Sequence, residues 1–251
     1  MQVLNLVKKY IIDGQIYVSL MGTALAIFFM LEQNIFRWPT AVLIFITYFS
    51  GYLYTKYQHH RMFAKILVFN VVCGIISAVL IFHNHNEIRL VKWLVIVILG
   101  LLYNSFFLEN FIRKIPLLKV FYVGLTWALI NSWLILPGFN PGIFMVSLLF
   151  VTALVLPFDI RDMKQDEVVT FPRLIGIQNT KYLAYLMVFL GCFLAIFFLK
   201  PEFSAAFFFT SALTFALIYF SEHANRDTYF SFWVESCSGI TLLFLLLMKY
   251  F

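Results

Sequence analysis

The chain alternates between long apolar runs and short polar breaks. In "KWLVIVILGLLY", residues 92–103, almost every step is apolar. That pattern has neither the period-two alternation of a half-buried strand nor the one-sided stripe of a soluble helix. A spanning helix needs roughly 20 mainly apolar residues, about 17–25. Nine candidate runs are centred on residues 15–31, 39–54, 64–82, 91–108, 117–136, 141–158, 182–199, 203–220 and 231–248. Backbone groups in hydrocarbon must pair within their own segment, so these runs predict helices. The expected fold is all-α: a polytopic membrane protein of nine transmembrane helices. No linker, repeat or low-complexity stretch divides residues 1–251, so one domain is expected. The stretch "PGFNPG", residues 137–142, predicts a tight uncharged turn.

Composition fixes the class. The chain is 63% hydrophobic and 12% charged, with a mean hydropathy of +0.91. Soluble domains run at about 45–50% apolar and about 25% charged, and a soluble fold of 251 residues has too few interior positions for the difference. The net charge of +6 forms no dense basic stripe, so nucleic acid is not an expected partner. Cationic residues instead predict orientation. Thirteen of the 18 fall at the N-terminus or after the second, fourth, sixth and eighth runs, and five (Arg37, Arg89, Lys92, Lys200 and Lys249) fall on the other side. The first group is expected to face the cytoplasm, with the C-terminus outside. The N-terminal stretch carries no small-residue cleavage site, so no removable signal is expected. The expected location is integral to a membrane, of the bacterial inner (cell) membrane type. Cys73, Cys192 and Cys237 sit singly in apolar runs and suggest neither disulfides nor a metal site.

Against this background, "VLPFDIRDMKQDEVVTFPRLIG", residues 155–176, is anomalous, because Asp159, Asp162, Asp166 and Glu167 crowd into nine residues. Asp159, Asp162 and Asp166 follow an i, i+3, i+7 spacing that would place them on one helix face. Three like charges there repel one another unless a cation sits among them. Mg²⁺ suits the place, since it takes carboxylate oxygens together with substrate phosphates. A solvated loop neutralised by Arg161, Lys164 and Arg173 accounts for the same residues. Asn70, Asn104 and Asn131 lie inside spans, where an amide commonly ties two helices together. Glu235, near the start of the last run, has either a paired structural role or an acceptor-binding one. "SEHANRD", residues 221–227, reads as a solvated loop.

The string D-x-x-D-x-x-x-D followed by Thr170, Phe171, Pro172, Arg173 and Gly176 resembles the second aspartate motif of the UbiA family of intramembrane prenyltransferases. A second stretch, "YNSFFLENFIRKIPLLKVFYVGLTWALINSW", is similar to the family's entry into its fifth helix. Tyr103, Arg113, Lys114, Pro116 and Lys119 stand there at its tyrosine and basic positions. The resemblance implies a nine-helix UbiA-like bundle that transfers an isoprenoid chain from a prenyl diphosphate to an unidentified acceptor at the cytoplasmic side. It implies Mg²⁺ as cofactor, with Asp159, Asp162 and Asp166 as the catalytic, metal-holding aspartates. The substrate-binding set that goes with it is Lys56, Arg61, Tyr103, Arg113, Lys114, Lys119, Asn131 and Arg161.

One departure stands out. Where the family carries its first aspartate motif, this chain reads "TYFSGYLYTKYQHHRMFAK", residues 47–65, with neither Asp nor Glu. Lys56, His59, His60 and Arg61 make that loop cationic. Such a loop can bind diphosphate oxygens directly, or can be what remains of an abandoned catalytic loop. Adjacent histidines point apart on a helix, so His59 and His60 are not expected to share a metal. The alternative to an enzyme is therefore a catalytically lapsed relative that binds a lipid or partner without chemistry. An unrelated transporter would show paired broken helices in its two halves, and none is evident.

Overall fold

The computed structural model describes residues 11–12, 14–58, 60–83, 86–103, 115, 117–165, 168–223 and 225–250. Among them the chain is helical, without strands. Its elements are α1 (Ile16–Glu32), α2 (Trp38–Tyr57), α3 (Phe63–His83), α4 (Glu87–Tyr103), α5 (Leu118–Leu129), α6 (Pro141–Asp162), the short α7 (Phe171–Ile175), α8 (Ile177–Phe198), α9 (Pro201–Tyr219) and α10 (Glu235–Tyr250). α5 runs on into a π-helical turn, Ile130–Leu134, and a second π-helical turn, Tyr229–Val234, leads into α10. By length and apolar composition five segments among these can cross a membrane: α3, α6, α8, α9 and Tyr229–Lys249.

Local chemistry explains the boundaries. In "PGFNPG" the side chain of Asn140 accepts from the Ile143 N–H at 3.1 Å, and Pro141 opens α6. Both are standard N-terminal devices, since the cap satisfies an orphan donor and proline lacks one. Pro also opens α2, α7 and α9. α7 ends at Gly176, whose φ of 82° and ψ of 160° lie in a region essentially reserved for glycine. This accounts for Gly at the end of the "TFPRLIG" string.

Helices adjacent in sequence pack side by side, and α10 closes the ring against α1. α6 is central: 67% of its apolar window is buried in the bundle, against 17% for α3, which presents a wide apolar face outward. Phenylalanines fill the interior. Phe28, Phe29, Phe150, Phe207 and Phe230 are fully buried, with Phe150 and Phe207 meeting at a centroid distance of 4.9 Å. Where α5 crosses α6, a Cβ added at Gly124 would lie 2.1 Å from Thr152 Oγ1, so the close approach requires glycine.

Arg89 and Lys92 do not stand in a loop. They lie in α4 and are buried. Lys92 Nζ donates to the carbonyls of Trp133, Leu136 and Pro137 at 3.0, 2.8 and 2.9 Å. Arg89 donates to Thr40 Oγ1 at 2.9 Å and to the Ile135 carbonyl. Two cations thus cap the end of the α5 helix and its π-helical extension, where unpaired carbonyls concentrate negative charge.

Candidate functional site

A chamber of about 530 Å³ opens at one end of the bundle. Its walls come from the start of α1, the end of α2, the middle of α5, the end of α6 and the turn before α10. Its inner wall is apolar, with Val18, Val151, Leu154 and Val155, and Tyr52 and Trp127 at the back. Its mouth is charged, with Lys56 and Arg161 facing Asp162, Asp227 and Glu235. Against α2–α5 lies a second cavity, a side groove of about 390 Å³. Tyr52, Val123 and Trp127 line both cavities, so the two share a wall.

The last turn of α6 positions the acids. Asp162 faces the chamber, and Arg161 donates to both of its oxygens, Nε to Oδ1 at 2.6 Å and Nη2 to Oδ2 at 2.8 Å. The Arg161 guanidinium also lies over the rings of Phe158 and Phe230, at 5.1 and 5.8 Å from their centroids. Asp159, one turn earlier, is 1% exposed and turns toward α5, where Lys119 Nζ stands 3.5 Å from Oδ1. Asp159 and Lys119 therefore lie beside the chamber rather than in its lining. Below the acids, Arg173 Nε donates to the Met163 carbonyl and His223 Nδ1 contacts the Arg161 carbonyl at 3.0 Å, tying the segment after α6 to the bundle.

The remaining sequence-derived residues divide. Lys56 reaches the chamber. Arg61 is exposed in the turn after α2 and lines neither cavity. Tyr103, the last residue of α4, lines the side groove and stacks on Tyr122 at 5.6 Å. Asn131 is fully buried in the π-helical turn, lines neither cavity, and donates to Ser147 Oγ at 2.8 Å, tying α5 to α6. Asp166, Arg113 and Lys114 lie outside the described residues, as do Glu167, His59, Asn104 and Pro116. Asp227, expected in a solvated loop, stands in the chamber mouth. Gln165 and Trp127 also line the chamber, and neither carried a motif or spacing that marked it in the sequence.

Carboxylates at the mouth supply the hard oxygen donors that Mg²⁺ prefers. Among the described residues no three His, Cys, Asp or Glu side chains converge on one point. Mg²⁺ is commonly held by one or two carboxylates plus substrate phosphates, and Asp162 and Asp227 in the chamber lining carry such oxygens.

No family model and no curated protein matches the sequence. Among solved structures the chain is similar to a UbiA homolog from Archaeoglobus fulgidus bound to GPP and Mg²⁺. The identity is 12% and the TM-score 0.65, with 97% of this chain and 100% of that one covered. At that identity the likeness is one of fold, and it runs nearly end to end: this all-helical membrane protein has a UbiA-like fold.

Proposed function

We propose that the protein is an intramembrane prenyltransferase that takes a prenyl diphosphate in the chamber and passes its isoprenoid chain to an acceptor. The carrying observation is the chamber itself, a charged mouth continuous with an apolar interior, in a fold similar to a protein bound to GPP and Mg²⁺. The mouth holds two cations and three carboxylates among the described residues. A bare diphosphate would meet the carboxylates of Asp162 and Asp227 there, and a divalent cation offsets that repulsion. Asp162, and by the resemblance Asp166, would hold Mg²⁺, which would supply charge neutralisation for the departing diphosphate.

Lys56 and Arg161 pair with diphosphate oxygens, Arg161 by its planar fork. Asp159 holds Lys119 beside them, and by the resemblance Arg113 and Lys114 belong to the same cationic set. The apolar chain lies along Val18, Val151, Leu154 and Val155. Phe158, Phe230 and Trp127 exclude water, and their ring faces favour a developing carbocation. The cytoplasmic side for this end of the bundle follows from the cationic count along the sequence.

One observation favours the non-catalytic alternative. Both oxygens of Asp162 are already taken by Arg161, and the stretch at residues 47–65, the end of α2 and the turn after it, offers cations where a second acidic wall is expected. The two readings separate in one experiment, with purified protein, Mg²⁺ and labelled prenyl diphosphates of several lengths. Diphosphate release that disappears in Asp162→Asn supports the enzyme. Binding without release supports the lapsed relative. Binding indifferent to Mg²⁺ and to the substitution refutes both.

A further inference from the structure

We propose that the side groove binds a neutral, hydroxyl-bearing apolar molecule drawn from the membrane, the acceptor of the prenyl transfer proposed above, on which its acceptor role rests.

Four observations carry this. First, the groove opens to the lipid side: Leu67, Val71 and Leu101 at its edge are exposed apolar residues. Second, none of its described lining residues is charged, so a carboxylate or ammonium would enter without a counter-ion. Third, two polar atoms in the lining have no partner among the described residues. Tyr48 is 5% exposed and its hydroxyl is unpaired, and the Oδ1 of Asn70 is buried and unpaired. The neighbouring polar groups are spent elsewhere. Trp93 Nε1 donates to Thr47 Oγ1 at 2.9 Å, and Tyr122 donates to the Leu99 carbonyl at 2.7 Å. Thr55 and Thr126 bond back to their own helices. Fourth, the groove shares Tyr52, Val123 and Trp127 with the chamber, so an occupant lies against the place where the prenyl chain is held.

A plain hydrocarbon would fill this space and leave both polar atoms without a partner. Asn70 Oδ1 can only accept, so it asks for a donor; the Tyr48 hydroxyl can do either. A hydroxyl group donates and accepts, and a neutral alcohol or phenol satisfies these requirements without bringing charge. In the transfer, a nucleophilic atom of this molecule bonds to C1 of the prenyl chain as the C1–O bond breaks. The bonding pair leaves with the diphosphate, and the acceptor's proton passes to the departing diphosphate or to water.

The test uses the full chain in lipid nanodiscs, with empty nanodiscs subtracted. Labelled 1-naphthol, 1-methylnaphthalene and 1-naphthoate are compared for binding, and labelled geranyl diphosphate with Mg²⁺ reports on the chamber separately. Wild-type protein is expected to prefer 1-naphthol over both analogues by about tenfold or more, the worth of one good buried hydrogen bond. Tyr48→Phe and Asn70→Leu should each weaken 1-naphthol about tenfold and leave 1-methylnaphthalene unchanged. Tyr48→Phe should not lower the thermal midpoint of the ligand-free protein, because it removes an unpaired hydroxyl and keeps the ring; a merely structural tyrosine would show the opposite. A Cβ at Gly100 meets nothing within 4 Å, so Gly100→Leu fills the groove without a backbone clash. It should abolish binding of all three and spare geranyl diphosphate. Equal affinity for 1-naphthol and 1-methylnaphthalene, tight binding of 1-naphthoate, or undiminished naphthol binding in both variants overturns the inference. Should geranyl diphosphate fail to bind while the naphthol preference stands, the transferase reading falls with the acceptor role, and the site for a neutral lipid alcohol remains.

Discussion

Replacing Arg161 with Met separates the two roles that its position combines. The guanidinium neutralises Asp162 through two short bonds, and it borders the chamber where the diphosphate is placed. Met keeps aliphatic bulk against Phe158 and Phe230 while removing the charge. A charge-assisted pair of this kind contributes about 1.5–3 kcal/mol when desolvated. Here the two side chains are 27% and 22% exposed, and screening brings the figure nearer 1 kcal/mol. Without diphosphate, Asp162 then becomes a freer metal donor, and affinity for Mn²⁺ (a paramagnetic substitute for Mg²⁺) should rise about fivefold. Affinity for geranyl diphosphate in Mg²⁺ should fall about tenfold, because an oxyanion loses its forked donor. Free Mn²⁺ followed by electron paramagnetic resonance in nanodiscs measures the first effect, and equilibrium binding of labelled diphosphate measures the second. Adding Asp162→Asn to the same chain should erase the Mn²⁺ gain. If Arg161→Met leaves Mn²⁺ affinity unchanged, Asp162 is not a metal donor and the magnesium argument collapses, whatever happens to the diphosphate.

Three further outcomes follow from single contacts. Gly176→Ala meets no atom within 4 Å, so its cost is backbone strain alone at φ 82° and ψ 160°, about 1–3 kcal/mol, read as a lower thermal midpoint in detergent. An unchanged midpoint would mean that the α7–α8 junction relaxes. Lys92→Met orphans three carbonyls at the end of the π-helical turn, and a loss of about 3 kcal/mol or more is expected in the same measurement. Asn131→Ala should cost about 0.6 kcal/mol of stability, the average for such an interhelical bond, and leave geranyl diphosphate binding as it was. A marked loss of affinity in that variant would return Asn131 to the substrate.

Helices were legible because hydropathy along a chain reports which stretches can leave water, and that property does not depend on partners. Their fine boundaries depend on partners. The fourth run, read as residues 91–108, begins at Glu87, because Arg89 and Lys92 bury their heads against carbonyls instead of marking a loop. A long cationic side chain lets its backbone enter an apolar helix if its tip finds acceptors, and only the folded neighbours show that it does. The fifth run, read as one helix over 117–136, changes hydrogen-bond pattern at Ile130. A π-helical turn accommodates one extra residue without altering apolarity, so it leaves no trace in a hydropathy profile.

The acidic motif was legible as composition and only half legible as geometry. Residues three apart on an α-helix are rotated about 60° from one another. At a junction of several helices that rotation is enough to give them different neighbours: Asp159 meets Lys119 on α5, and Asp162 meets the chamber. The chamber's other carboxylates, Asp227 and Glu235, come from the turn into α10, more than sixty residues away along the chain. α10 closes the ring against α1, and that closure places the turn before α10 opposite Asp162. Spacing along one segment therefore cannot tell how many acids a site holds, because a ring of helices sums contributions from both chain ends. The stretch at residues 47–65 lacks acids, yet the chamber still has carboxylates on two walls. Whether the site can accept a metal–diphosphate complex is decided by that summed charge, not by that stretch taken alone.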